Sequence, residues 1–375
     1  MLLALLELKA ARGRFLLMGS VVVLVAALVG VVSGFTTGLG DDTVSALRRL
    51  PATHLAFAPG TSTDQFARSL VDDTALDGWR ARPGVRATPL GTTITRGTTG
   101  SGVEVDFAAF GVEPGSFLDP APGSLERPDT VVVSRRLADQ GVRPGDTLTV
   151  DRLGITLTVT GTTARSSYGH VAAAYLPIAT WQRIRFTAPG APASGAPASG
   201  PSVDRLPGQY TAVALQADPG VDLAAADRDL RTRTLTVEAA YPAAPGYTGE
   251  RVTMTSIQAF LYVIAPLVVG AFFAVWTVQR QPELALLRAM GASRRRLLAH
   301  TLGQAAVVVT AGALAGAALA GAVGLLVGSK VPFSLPATAL AATMASVILT
   351  ALAGAAVTLR RVATVDPMTM LGAGR

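Results

Sequence analysis

Four stretches of the chain, Phe15–Gly40, Met254–Gln279, Thr301–Ser329 and Val331–Leu359, contain no Asp, Glu, Lys or Arg. A hydrocarbon layer of roughly 30 Å is crossed by about 20 apolar residues in a helix, so each stretch is long enough to span it. Inside lipid the backbone must satisfy its own hydrogen bonds, which leaves the α-helix as the conformation for each. The last two stretches are separated by Lys330 and a Pro-rich turn, and so form a hairpin. With 50% hydrophobic and 15% charged residues over 375 positions, the chain is too apolar for an ordinary soluble protein. The expected fold is a membrane protein: an α-helical four-span bundle of 1 + 3 topology, with a large α+β domain between spans 1 and 2.

The distribution of the net charge of +7 orients this layout. Lys9, Arg12 and Arg14 against Glu7 leave the N-terminus at +2, and five Arg against Glu283 leave the loop after the second stretch at +4. Arg360, Arg361 and Arg375 against Asp366 leave the tail at +2; with Lys330 counted, Asp41–Thr253 carries about −2 of the +7 total. The positive-inside rule then puts both termini and the middle loop in the cytoplasm and residues 41–253 outside, in a multi-pass protein of a cytoplasmic membrane. The first stretch is longer than a signal-peptide core and lacks a clean small-x-small site, so an uncleaved anchor is expected. No basic stripe with interleaved aromatics accompanies the charge, which argues against nucleic acid as a partner.

The middle loop carries a helix of its own. Pro282 suits a first helical position, Glu283 the positive end of the helix dipole, Arg288 its negative end, and Gly291 a left-handed closing residue. Leu284, Leu287 and Met290 recur every three residues as an apolar stripe, and Ser293 caps the helix that follows. A basic loop lying on lipid headgroups is the plainer reading of the same residues. In the third stretch, Gly312, Gly316, Ala320, Gly324 and Gly328 fall every four residues, a strip for close helix packing within the chain or against a second copy.

Residues 41–253 alternate strand and helix signals. Thr53–Ala58, Val85–Thr95 and Val103–Gly111 read as extended and Asp64–Val71 as helical; Tyr210–Gln216, Asp222–Arg231 and Leu235–Glu238 repeat the rhythm. Between them, Thr130–Ser134, the short helix Arg135–Gln140, Thr147–Val150 and Ile155–Thr160 predict a β-rich insert over about 120–185, forming a compact second lobe. Pro189–Pro201 repeats Gly-Ala-Pro-Ala-Ser and predicts a flexible loop over 187–208.

Catalytic signatures are missing. There is no cysteine, no Gly-x-x-x-x-Gly-Lys-Ser/Thr phosphate loop and no Gly-x-Ser-x-Gly, and His54, His170 and His300 have no partner at metal-ligand spacing. The four stretches also lack the ionisable groups that proton- or sodium-driven carriers place near the midplane. The chain is therefore expected to be non-enzymatic, with no cofactor or metal of its own, and any work must be driven by a partner.

Two motifs resemble a known family. Gln-Pro-Glu-Leu-Ala-Leu-Leu-Arg-Ala-Met-Gly-Ala-Ser-Arg-Arg-Arg, from Gln281, is similar to the loop after the second span of FtsX-like permeases of ABC transporters (MacB, LolC and DevC types, the type VII superfamily). Arg-Arg-Val-Ala-Thr-Val-Asp-Pro-Met-Thr-Met-Leu, from Arg360, resembles that family's ending. Weaker likenesses lie at Leu6–Phe15, Val131–Ala138 and Gly145–Leu148, similar to the entry helix and external domain of MacB-like proteins.

The resemblance implies a MacB-like external domain over 41–253 and a permease domain over 254–375, with Pro282–Gly291 as the coupling helix on a cytoplasmic ATPase of MacB or LolD type. It makes Glu283, Leu284, Leu287 and Arg288 the contacts. It further implies a homodimer, with ATP and Mg held by the ATPase, lipid around the spans, and external movement driven by mechanotransmission for export or extraction of a lipid, peptide or drug-like substrate. An FtsX-like signalling subunit that activates an external adaptor or cell-wall hydrolase is the alternative. Two departures bear on this: unlike fused MacB, the sequence has no phosphate loop, and its external domain is larger than that of the division protein FtsX.

Overall fold

The computed structural model describes residues 12–187, 208–279, 294–327 and 331–364. They divide into two compact units, one of Leu39–Arg251 and one of the residues on either side.

Helix α1 (Arg12–Arg48) does not stop where the apolar stretch ends at Gly40, and its last turns belong to the Leu39–Arg251 unit. There Val44, Ala46 and Leu47 are buried in one cluster with Leu55, Phe57, Phe66, Phe110 and Tyr168. Twelve strands follow: β1 (His54–Phe57), β2 (Val71–Asp72), β3 (Val85–Thr99), β4 (Glu104–Val112), β5 (Thr130–Ser134), β6 (Thr147–Val150), β7 (Ile155–Thr163), β8 (Ser167–Tyr168), β9 (Val171–Pro177), β10 (Gln209–Tyr210), β11 (Ala212–Ala217) and β12 (Arg233–Thr236). Helices α2 (Asp73–Arg80), α3 (Arg135–Ala138), α4 (Ile178–Phe186) and α5 (Leu223–Leu230) are interspersed.

Ten strands form one sheet in the order β12-β1-β11-β3-β4-β9-β5-β7-β6, with β8 paired to β9; β2 and β10 pair separately. The β-rich insert therefore shares its sheet with the rest of the domain, while enclosing a buried cluster of its own. The physical reason is the length of β3. Its first residues, Val85–Leu90, pair with β11, and its last, Gly97–Thr99, pair with β6, so the path β3-β4-β9-β5-β7-β6 closes on itself. Phe107, Val131, Val133, Leu148, Val150, Leu157 and Trp181 belong to one buried cluster along this closed path.

The helix expected at Asp64–Val71 is not there. That segment holds a single 3-10 turn, Phe66–Arg68, and then β2, and the helix begins at Asp73. Asp72 caps it, its carboxylate accepting from the Ala75 amide at 3.0 Å, while Asp73 sits in the favourable first turn.

Trp181 on α4 is fully buried over a matched pair of glycines, Gly91 on β3 and Gly111 on β4, which face each other in register. A Cβ on either would overlap the Trp181 side chain.

The second unit contains most of α6 (Tyr247–Gln279), all of α7 (Arg294–Val327) and α8 (Ala337–Thr364), and α1 up to Gly38. Four helices among the described residues are long and apolar enough to cross a membrane: Met18–Arg48, Tyr247–Phe272, Thr301–Val327 and Ala337–Val357. Met18, Val22, Val269, Ala305, Val309 and Ala351 form one buried cluster drawn from all four helices; Ala26, Val29, Ala313, Met344 and Val347 form another. The last span, expected from Val331, becomes helical only at Ala337. Pro332 and Pro336 keep the preceding residues out of helix, and Phe333 packs edge-on against Phe35 at 5.3 Å between centroids.

Gly91→Ala forces Trp181 out of its seat, and overpacking of this kind costs about 1–3 kcal/mol. The expected outcome is a lower midpoint in a fluorescence-monitored thermal melt of the full chain, with Gly111→Ala giving a loss of the same order.

Candidate functional site

The small-residue strip of α7 lies against α1 of the same chain. A Cβ on Gly312 would come within 2.7 Å of Val22, and one on Gly316 within 2.6 Å of Ala26 and 2.8 Å of the Ala27 amide nitrogen. Ala320 is fully buried, 2.9 Å from where a Cβ on Gly30 would stand, and Gly324 faces the Phe333 ring. Without side chains at these positions the two backbones approach closely, which is how helices associate in lipid. Gly328 lies outside the described residues, as do Pro282, Glu283, Leu284, Leu287, Arg288, Met290 and Gly291 of the expected coupling helix, and the Gly-Ala-Pro-Ala-Ser repeat.

Polar chemistry in the Leu39–Arg251 unit gathers where the chain enters and leaves it. The two-residue turn Gly169-His170 joins β8 to β9, with Tyr168 paired to Val171 across it. Both turn residues have positive φ, 56° and 67°, as a type I′ hairpin requires. Gly169 and His170 donate their amides to the carbonyls of Thr43 and Asp42 on α1, at 3.0 and 3.3 Å. The His170 ring then stands between two carboxylates: Nδ1 is 3.2 Å from Asp42 Oδ2 on α1, and Nε2 is 2.6 Å from Glu250 Oε1 in the first turn of α6. Thr43 Oγ1 lies 3.0 Å from the other Glu250 oxygen and 2.8 Å from the Leu39 carbonyl, and shares its one proton between them.

Asp42 has a second partner, Arg136 of α3, whose Nη1 pairs with Oδ1 and also donates to Ser167 Oγ at 2.8 Å. Arg136 is positioned by its own helix start, where Ser134 caps the chain by accepting from the Arg136 amide at 3.1 Å. Burial and, secondly, the positive charge of Arg165 pull the Arg136 guanidinium below its ordinary pKa, and the carboxylate of Asp42 stands against it. Ser45 Oγ accepts the Ser167 amide at 2.9 Å, adding another tie from α1 to the same turn.

None of these residues stood out in the sequence, where His170 has no ligand-like partner nearby. The available signals were local: a Gly-His pair directly before an apolar run, an Asp pair directly after the first apolar stretch, and a Glu just before the second. Among the described residues no group of three or more His, Asp or Glu is arranged to hold a metal ion.

A set of four helices long and apolar enough to cross a membrane, interrupted after the first by a large mixed α/β domain, defines the class: a polytopic membrane protein with a large domain between its first and second spans. Sequence families make the class specific. The MacB-like periplasmic core domain matches residues 15–233, and the FtsX-like permease C-terminal domain matches 255–367. The chain belongs to the MacB/FtsX-like permease family of ABC transporters.

Among curated relatives, a putative hemin transport system permease protein HrtB of Staphylococcus haemolyticus is 21% identical over 98% of this chain and 97% of its own length. A protein of the same description from Staphylococcus epidermidis is 26% identical, over 34% of this chain and only 37% of its own length. Solved structures that match include the periplasmic region of MacB from Actinobacillus actinomycetemcomitans, at 10% identity and a TM-score of 0.35 over 51% of this chain and 92% of that one. The extracellular domain of the ABC-type transporter YknZ from Gram-positive bacteria matches at 11% and 0.32, over 49% and 98%.

Two outcomes follow from this geometry. Gly316→Val drives a branched side chain into the α1 backbone, and the expected result is loss of monodisperse protein after detergent extraction, read by size-exclusion chromatography. Arg136→Met strips Asp42 of its cation; hydrogen bonds to charged groups are worth about 1.5–3 kcal/mol, and a loss of that order is expected in thermal melts at neutral pH.

Proposed function

We propose that this chain is the permease subunit of an ABC transporter in which a separate cytoplasmic ATPase supplies the energy and the external domain performs the work. The observation that carries the reading is the continuity of two helices. α1 is 37 residues long and α6 is 33, against the roughly 20 needed to cross hydrocarbon, and Leu39–Arg48 of the first and Tyr247–Arg251 of the second belong to the Leu39–Arg251 unit. Each thus runs from a span into that domain without a break in the helix.

In this reading both termini and the 280–293 loop face the cytoplasm, and Pro282–Gly291 seats in the ATPase, with Glu283, Leu284, Leu287 and Arg288 in contact. ATP and Mg belong to that partner. Two copies of the chain serve two ATPase subunits, lipid surrounds the spans, and this chain itself is not catalytic. The cargo is an amphipathic molecule that partitions into the membrane, such as a lipid, peptide or drug; the name of the staphylococcal relatives makes hemin the first cargo to test.

The expected outcome is co-purification of the chain with an ATPase of MacB or LolD type, reduced at least tenfold by Glu283→Lys combined with Leu287→Asp, with substrate efflux falling in parallel. Association unchanged by the double substitution would remove the coupling assignment. ATP-dependent activation of an external hydrolase without efflux would replace transport with signalling.

A further inference from the structure

We propose that His170 is a proton-dependent clasp that holds the domain ends of α1 and α6 together, closed when the triad Asp42–His170–Glu250 carries one extra proton and released when that proton leaves. The proposal rests on the local geometry and stands whether or not the chain transports a substrate.

A neutral imidazole has one N–H and one lone pair. At His170 both ring nitrogens face carboxylate oxygens, at 3.2 and 2.6 Å. With a neutral ring and two ionised carboxylates, one of these contacts would set a lone pair against an anion. The arrangement is attractive at both ends only if a proton is added, on the ring or shared across the short Nε2–Oε1 contact. The two carboxylates sit on different nitrogens of the ring, so they do not converge on one metal ion, and the added particle is a proton.

The surroundings bear on the same contacts. Asp42 has Arg136 as a second partner, and Glu250 has the Thr43 hydroxyl. Nearby, Arg48 pairs with Asp41 on α1, Arg165 with Asp139, and Arg251 of α6 donates to the Tyr247 hydroxyl. Loss of the proton leaves a ring lone pair facing a carboxylate among groups that are only 14–38% exposed.

The backbone points to the same residue. His170 adopts φ of 67°, a left-handed conformation that glycine or asparagine takes more easily. A strained position held by its surroundings directs attention to what the side chain does there. Here it reaches from a hairpin turn to two helices that are 80 and 128 residues away in sequence. Imidazole is also the side chain whose ordinary titration falls between pH 5 and 8. The clasp is accordingly closed with this proton in place and open without it.

The test uses the full chain in lipid nanodiscs. Because the sequence contains no cysteine, spin labels can be placed singly at Arg49→Cys and Gly249→Cys, both exposed, the latter with open space at its Cβ. The expected result is a narrow inter-label distance distribution at pH 6 that becomes at least twice as wide at pH 9. Nitrogen-15 histidine spectra at pH 6, with only three histidines to assign, should show both His170 ring nitrogens bearing hydrogen. His170→Gln should be broad at both pH values. Glu250→Gln supplies an amide that can donate to a neutral Nε2, so its distribution should stay narrow at both. The proposal is overturned by a wild-type distribution that does not change with pH, by a ring nitrogen without hydrogen at pH 6, or by a Glu250→Gln distribution that still broadens at pH 9.

Discussion

One of the buried clusters of the Leu39–Arg251 unit is built on a helix that does not end where its apolar stretch does. Once α1 passes Gly40 it no longer needs a helix to satisfy its backbone, yet it continues for two more turns because those turns have a core to enter. Val44, Ala46 and Leu47 are completely buried beside Phe57 and Phe110, and Tyr247 of α6 joins the same cluster. Burial of side chains the size of Val44 and Leu47 stabilises by about 1.5–3 kcal/mol each, enough to make the helix ends part of the domain instead of tethers to it. The hairpin turn at His170 and the Arg136 ion pair are both tied to that helix end.

Much of this was legible in the residues. Charge-free length announces a membrane helix because lipid offers no other solution, and Thr130–Ser134, Thr147–Val150 and the strand from Ile155 stand where alternation and turn chemistry put them. The misplaced helix at Asp64–Val71 shows the weakness of reading hydrophobic spacing without caps: Phe66 and Val71 are buried, but as parts of a turn and a strand, and the decisive signal was the Asp72-Asp73 pair. Sheet sharing was hidden for a different reason. Nothing in β3 announces that its two ends serve different neighbours, because pairing partners are set by closure of the whole sheet.

The site was less legible than the fold. Small residues every fourth position are a property of one helix and can be read along the chain, although the partner they meet cannot. Asp42, Arg136, His170 and Glu250 come from four separate elements, and each is unremarked in its own sequence context. Only the type I′ turn, which gives His170 its direction, and the buried cap at Ser134, which gives Arg136 its own, bring the four into one electrostatic unit. Such sites are made by topology, and a single sequence carries topology only weakly.

The position of β1 in the sheet has a consequence for how the protein is made. His54–Phe57 pairs on one side with β11 and on the other with β12, for instance His54 with Leu215 and with Thr236. The first strand to emerge after the first span thus has no partner until the far end of the domain has been delivered to the same side of the membrane. Contacts so distant in sequence form slowly, and an unpaired strand meanwhile is open to wrong pairings. Biogenesis is therefore ordered: the sheet is completed only at the moment the second span is about to enter the bilayer, which couples folding of the domain to insertion of the helix that follows it.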